Sequence, residues 1–507
     1  MALRRKYRFN KSFFGFAFFI VLLLYFLLYR NLDITAGESL KSRELSPKFY
    51  GAITLDNIGE RLTIIIHDFE DFENTLLETT DLIKQSLGHV PVLIISNRLP
   101  YPPVKLDSEY AQIITLSKDL NKNYTSACSL QFVNTQYVLL LPDGVKIRNL
   151  QQIQHYVQIL HSKKITKAVA IPIKEDSLSC STFDFDYKTW TIVYYSNFSS
   201  SANLYHCPQV NGAHALLMET KSFKSLPEPF SRPFPLTFYI QAKIAGWRVK
   251  IAKGEKLEVV SKLYSDPHIS WKHKKSESER LVDFYTSVGI KHEISVNKMH
   301  RYFGCDKDSP RCFGTIVNDM PEYLYEGRWT PPCCLKALRE TAAHVFKVLD
   351  NCLVKYWLEG GSLLGAARLK DIIPWDYDVD IGIYREEIKQ CPELVKAQSE
   401  SYTDSEGFVW EKANEGDFYR VQYSAVNHLH VDIHPFYSKN GIMTKDTWLA
   451  THRQDVEFPE RFLQPLTKID FAGLYASAPN SVKEFLEFKF GEGVIENPKY
   501  PNLQSPK

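Results

Sequence analysis

Asp376, Asp378 and Asp380 occupy alternate positions in Pro374-Trp375-Asp376-Tyr377-Asp378-Val379-Asp380-Ile381. On a strand, alternate residues share a face, which would set three carboxylates on one side and Tyr377, Val379, Ile381 and Ile383 on the other. Carboxylates that close repel one another and ionise poorly unless a cation lies between them. Hard oxygen ligands on an open site suit Mg2+ or Mn2+, with the phosphates of a donor completing the shell. A solvated acidic turn is the plainer reading, and the apolar residues alternating with the acids argue against it. Just upstream, Gly360-Gly361-Ser362 separates a strand-like stretch, Val354–Glu359, from a helix-like stretch that reaches Arg368. Glycines let a backbone approach a phosphate, and the free N–H groups at a helix start favour an anion. Arg368 would add a planar cation within reach of phosphate oxygens. A second alternating segment, His428-Leu429-His430-Val431-Asp432-Ile433-His434, turns Leu429, Val431 and Ile433 toward a core and places Asp432 beside three histidines. Those histidines read most simply as polar residues on an exposed strand face.

The elements that must hold these groups can be read around them. Leu335, Leu338, Ala342, Val345 and Leu349 recur at helical spacing and predict a helix packed beneath the site. In the other half, Leu62–Ile66, Val92–Ile95, Tyr137–Leu141 and Ala168–Ile173 are continuous apolar runs, with a helix-like stretch from Phe72 to Leu87 between the first two. Fully apolar strands separated by helices predict a parallel α/β sheet. Only Asp143, before Gly144, follows the third run. An acid in that setting is most often a turn residue. Lys272–Arg280 reads as a solvated face, and a second domain is expected to begin near residue 290.

The N-terminus carries a different message. Ser12–Tyr29 is uncharged and almost wholly apolar, about long enough to cross a hydrocarbon core. Arg4, Arg5, Lys6, Arg8 and Lys11 precede it, which predicts a cytosolic tail (1–11), an anchor (12–29), a tether (30–58) and a lumenal body. A cleaved signal peptide is the competing reading, disfavoured by the length of the run. The sequons at Asn123 and Asn197 fit a lumenal body. A net charge of +2, without a long basic stripe beyond the terminus, makes nucleic acid an unlikely partner. Of nine cysteines, Cys180 and Cys207 would pair in an oxidising lumen, Cys128 has no evident partner, and Cys352 and Cys391 read as buried thiols. Cys305, Cys312, Cys333 and Cys334 fit either a tetrahedral zinc site or two disulfides.

A GGS turn, then DxD on a strand, then a single later Asp is similar to the nucleotidyltransferase fold. That resemblance implies an acceptor hydroxyl attacking a phosphoryl group while a nucleotide leaves. Residues 59–290 resemble a family-2-type glycosyltransferase whose acidic metal pair is missing. Trp357–Tyr384, the run Tyr323–Ala342 and Gly493–Asn502 resemble the fukutin-related protein family, and more distantly bacterial phosphorylcholine transferases. The resemblance implies an α/β chain: a glycosyltransferase-like stem domain (59–290) and a nucleotidyltransferase-like α+β catalytic domain (291–507) with a zinc-binding insertion (305–334). It implies transfer of ribitol 5-phosphate from CDP-L-ribitol to a primed O-mannosyl glycan of α-dystroglycan at the Golgi membrane, alongside fukutin and as a homo-oligomer. It assigns Mg2+ to Asp376, Asp378 and Asp380, with Asp432 as a fourth catalytic acid, and structural Zn2+ to the four cysteines. Donor contacts fall on Gly361, Arg368, Trp375, Tyr377, Val379, Gln454, Asp455 and Asn497, together with the Asp trio. His434 stands where the family pattern has Trp, so its side chain inherits no role. Other readings are transfer of a different phospho-alcohol from its CDP ester, a non-catalytic scaffold, and glycosyl transfer by the stem.

Overall fold

A computed structural model describes residues 58–498, apart from 98, 108, 117–128, 163–165, 174–176, 196–205, 318–319 and 449–451. The expected tail, anchor and tether up to residue 57, both sequon asparagines and Cys128 lie outside the described residues. Among those described, no helix is long and apolar enough to cross a membrane.

The fold is mixed α/β. In the stem half, β1 (Leu62–Ile66), β2 (Val92–Ser96), β3 (Ala111–Thr115), β4 (Tyr137–Leu140) and β5 (Thr166–Pro172) come first. Strands β6 (Ser179–Asp186), β7 (Thr191–Tyr195), β8 (Gln209–Asn211), β9 (His214–Glu219) and β10 (Arg248–Ile251) follow. Seven of them form one sheet in the order β10-β5-β9-β4-β1-β2-β3. Strand β1 pairs parallel with both β2 and β4 and is buried along its whole length. That explains the unbroken apolar run: a strand covered on both faces has no solvent side to make polar. Helix α1 (Leu76–Leu87) follows β1 in the chain, and α2 (Leu150–His161) packs on β5 and β9, capped by the Asn149 side chain accepting from the Gln152 amide. Helix α1 begins four residues later than the apolar pattern suggested.

The second sheet runs past residue 290. Strands β11 (His292–Ile294) and β12 (His300–Tyr302) join it in the order β12-β11-β7-β6-β8. The Lys-rich stretch forms part of α3 (Pro267–Ser287), and it is not simply a solvated face. Lys272 lies over the Phe72 ring, and His273 and Arg280 reach inward to Glu70.

In the C-terminal half, helix α4 (Pro332–Asn351) carries the predicted apolar face, with proline at its first turn where a missing N–H costs nothing. It lies against a sheet whose main path is β13 (Tyr356–Leu358), β14 (Val379–Tyr384), then β18 (His430–Lys439), β17 (Tyr419–Gln422), β16 (Val409–Lys412) and β15 (Tyr402–Thr403). Short strands β19 (Ile442–Thr444) and β20 (Phe458–Pro459) extend from β18. Helix α5 (Gly360–Leu369) packs on β14 and against α6 (Val482–Phe490). Trp357 is fully buried and lies so close under β14 that a Cβ at Gly382 would fall 2.4 Å from its ring.

The halves meet through aromatic and cationic side chains. Arg328 stacks between Tyr187 and Trp190 of the stem, and the Trp190 indole donates to the Trp329 carbonyl at 2.8 Å. Lys188 covers the Trp329 ring in turn, 4.3 Å from its centre.

Candidate active site

The glycine pair opens α5 directly after β13. Gly360 holds φ at +52°, a left-handed conformation that excludes most side chains, and Glu359 takes the cap position. Gly361 is needed for space: a Cβ there would sit 2.8 Å from the Asp376 Oδ2. Ser362 is buried, and its hydroxyl accepts from the Asp380 amide at 2.9 Å, while the Glu359 amide donates to the Asp380 carbonyl at 3.0 Å. Helix mouth and acid strand are stitched together through the main chain. Beneath them the Glu359 carboxylate accepts from the Trp357 indole and pairs with buried Lys489.

Only Asp380 of the acid trio lies on a strand. Strand β14 begins at Val379, and Asp376 and Asp378 occupy the loop that enters it, so strand alternation does not set their directions. The loop is moored from outside: Thr330 donates its hydroxyl to the Asp376 carbonyl at 2.6 Å and its amide to the Pro374 carbonyl at 3.0 Å. The three acids remain one electrostatic unit. Burial raises the Asp376 carboxyl to about 7, with the Asp380 charge adding to the effect, and a hydrogen bond joins it to Asp378. Asp378 is pushed well above the usual carboxylate range, first by burial and then by Asp380, Asp376 and Asp432. Asp380 goes the other way: burial opposes its charge, but a hydrogen bond from His434 and the charges of His434, Lys445 and His430 bring it below its ordinary value.

Asp432 sits beside Asp380 in register on the neighbouring parallel strand. Arg420 grips it through two hydrogen bonds of 2.8 and 2.9 Å from β17. The histidines depart from expectation. His428 is exposed, but His430 and His434 are 8% and 5% exposed, because β18 is flanked on both sides and its polar positions face the site instead of solvent. His434 lies 3.2 Å from the Asp380 Oδ1.

The remaining expected donor contacts are placed unevenly. Arg368 donates from Nε and Nη2 to the Val494 carbonyl, clasping the segment that leads to Asn497, which is exposed. Asp455 pairs with Lys445 at 2.8 Å, next to half-buried Gln454. Trp375 packs near Trp329, Tyr377 lies edge-on to Phe313, and Val379 is buried in the core. Arg420, Thr330 and Lys489 had no sequence signal, because each acts across a distance that only the fold closes.

The cysteines converge. Cys180 and Cys207 lie at bonding distance, as expected. Cys305 pairs with Cys333 and Cys312 with Cys334, the disulfide alternative of the four-cysteine group. Cys352 and Cys391, expected as separate buried thiols, also form a pair. Ligand atoms of Cys305, Cys333 and Cys334 all fall within 4.8 Å of one another. The acid trio stands apart from these sulfurs as a separate, all-oxygen group, with Asp376 and Asp378 joined by a hydrogen bond. Its oxygen-only donors and the upward pressure on two of its three carboxyls fit a hard divalent cation.

Two family models match this chain: the fukutin-related protein stem domain over residues 51–296, and the LicD/FKTN/FKRP nucleotidyltransferase domain over 353–481. A ribitol 5-phosphate transferase FKRP of Mus musculus is 43% identical over 447 residues, 88% of this chain and 89% of the relative. The Homo sapiens protein of the same description is 42% identical over 446 residues, with the same coverage. A solved mannosyltransferase from Pyrobaculum calidifontis aligns over 45% of this chain and 64% of its own at 12% identity, with a TM-score of 0.28. With a stem domain, a nucleotidyltransferase domain and this identity along nearly its whole length, the chain belongs to the fukutin-related protein family.

Proposed function

We propose that the protein transfers ribitol 5-phosphate from CDP-L-ribitol to a ribitol-phosphate-primed O-mannosyl glycan of α-dystroglycan and releases CMP. The observation that carries this reading is the acid trio facing a glycine-lined helix mouth, in a chain whose relatives are named ribitol 5-phosphate transferases. The acceptor hydroxyl oxygen bonds to the phosphorus that bears ribitol, the bond from that phosphorus to the CMP oxygen breaks, and the hydroxyl proton leaves to a carboxylate of the site. Asp376, Asp378 and Asp380 would hold Mg2+ or Mn2+, which when bound offsets the charge of the donor pyrophosphate. Gly360 and Gly361 leave room for phosphate at the amides of α5. His434 keeps Asp380 ionised, and Arg420 fixes Asp432 in place. Incubating the protein with CDP-ribitol, CDP-glycerol and CDP-choline, each with a ribitol-phosphate-primed acceptor, and weighing the products tests the reading. A mass gain of one ribitol phosphate is expected; gain only from another ester overturns it.

Cys305, Cys312, Cys333 and Cys334 hold one structural Zn2+ in this reading. The Cys305 and Cys334 sulfurs, which belong to different pairs, lie 3.7 Å apart. Two thiolates on a tetrahedral zinc with bonds of about 2.3 Å stand at nearly that spacing. One zinc per chain by elemental analysis, released by a chelator with loss of thermal stability, is the expected result. A zinc-free protein destabilised by reductant instead would assign disulfides. The protein would work from a type II anchor in the Golgi, as an oligomer and beside fukutin; protease protection of the body in sealed vesicles tests the orientation.

A further inference from the structure

A cavity of about 800 Å³ opens in the stem half, far along the chain from the acid trio. His67 and Leu116 reach it from just beyond β1 and β3, Ser96 from the last position of β2, and Phe230 and Arg232 approach from a loop. Helix α3 closes the side with Arg280 and Phe284. Ligands of open α/β sheets bind outside the carboxyl ends of the parallel strands, the edge from which β1, β2 and β3 line this cavity.

His67 is the second observation. It is 3% exposed, lines the cavity, and among the described residues neither ring nitrogen has a hydrogen-bond partner. Burial, and then the Arg232 charge, hold it neutral with a pKa near 3. A neutral imidazole carries one donor and one acceptor, and burying either without a partner is unfavourable. A ligand able to both donate and accept would remove that cost.

The charges narrow the ligand class. Arg232 bonds to Asp68, Glu70 and Glu277, and Arg280 to Glu70 and Glu277. Three carboxylates on two guanidiniums leave no surplus positive charge for a pyrophosphate. Glu70, His273 and Glu277 could in principle gather a cation, but the guanidiniums already serve those carboxylates. At the end of β4, where a donor-metal acid would be needed, Asp143 is consumed by the Thr75 amide and the hydroxyls of Thr75 and Thr79. Phe69, Phe230 and Phe284 supply apolar faces.

We infer that this stem cavity binds an uncharged, hydroxyl-rich saccharide, with sugar hydroxyls pairing to both ring nitrogens of His67 and the sugar's C–H face on the phenylalanines. The test is saturation-transfer NMR and calorimetry on the full-length protein with three neutral disaccharides (N,N′-diacetylchitobiose, lactose and mannobiose), each at millimolar concentration, and with UDP-N-acetylglucosamine in parallel. At least one disaccharide binds more tightly than the nucleotide sugar. His67→Phe, close in shape, weakens it about ten-fold by removing its hydrogen bonds. Asp283→Trp, at an exposed position on the rim, blocks entry without touching the core, and ribitol phosphate transfer to a short soluble acceptor stays at the wild-type rate in both variants. Failure of all three disaccharides to bind, wild-type affinity in the Asp283→Trp protein, or tighter binding of UDP-N-acetylglucosamine overturns the inference.

Discussion

Replacing Gly361 by alanine separates the stability of the fold from the chemistry of the site. Gly361, unlike Gly360, has no left-handed backbone to protect, and in a helix alanine is favoured over glycine by about 1 kcal/mol. Against this stands the new Cβ, 2.8 Å from the Asp376 Oδ2. The carboxylate must retreat by roughly half an ångström to reach ordinary contact, and it can do so by rotating its side chain. Metal–ligand distances tolerate only about 0.2 Å, and a misplacement on the order of an ångström costs about a hundred-fold in rate. Gly361→Ala should therefore keep or slightly raise its melting temperature while kcat/KM with CDP-ribitol falls about ten- to a hundred-fold, with the Mg2+ requirement shifted upward. Gly365→Ala is the contrast. Its Cβ would lie 2.5 Å from the Asp371 carbonyl oxygen, main chain that cannot rotate away, so stability should fall with activity, at an overpacking cost of about 1–3 kcal/mol. Initial rates across a Mg2+ titration, with scanning fluorimetry on both proteins, measure the two effects. A Gly361→Ala enzyme with wild-type rate and Mg2+ dependence would refute the placement of Asp376 as a metal ligand.

Other perturbations probe the same electrostatics. Asp378→Asn removes one of three repelling acids, so the metal-free protein should melt at a higher temperature than wild type near neutral pH while turnover is lost; lower stability with retained turnover would contradict this. In the metal-free wild type, Asp376 has a folded pKa of about 7 against an ordinary 3.8, so its ionisation costs stability as pH rises through about 4 to 7. Chelation by EDTA should accordingly lower the melting temperature more at pH 8 than at pH 5, and an equal drop would count against the crowded acids. Arg420→Met strands the Asp432 carboxylate and should destabilise by about 3–5 kcal/mol in denaturant unfolding, with Arg420→Met/Asp432→Leu recovering part of the loss.

Local signals in the chain disclosed a good share of this. Unbroken apolar runs announced the parallel strands of the stem, though not β9, which runs antiparallel between β4 and β5, and the period of Leu335–Leu349 announced α4, because both patterns record burial directly. The glycine pair and the DxD spacing announced the site, since few residue types serve those purposes. What stayed hidden depended on neighbours. Alternation in His428–His434 could not tell a solvent face from a site face, and only the flanking β14 and β17 decide it. Asp376 and Asp378 looked like strand residues because a moored loop can imitate a strand's spacing. Arg420, and the pairing of Cys352 with Cys391, needed the hairpin and the packing that bring them together. The stem cavity left no motif, being assembled from strand ends, a loop and a distant helix.

The seam between the halves has a consequence for how this enzyme can be altered. Arg328 is gripped by stem aromatics, and two residues along the chain Thr330 holds the backbone of Asp376. Scaffold and reaction centre thus share a tether too short to absorb slack. A catalytic half expressed alone would lose the anchorage of that tether. A change at Tyr187 or Trp190 would announce itself as slow turnover in a protein that still folds, so a defect seen in kinetics need not originate in the half that performs the chemistry.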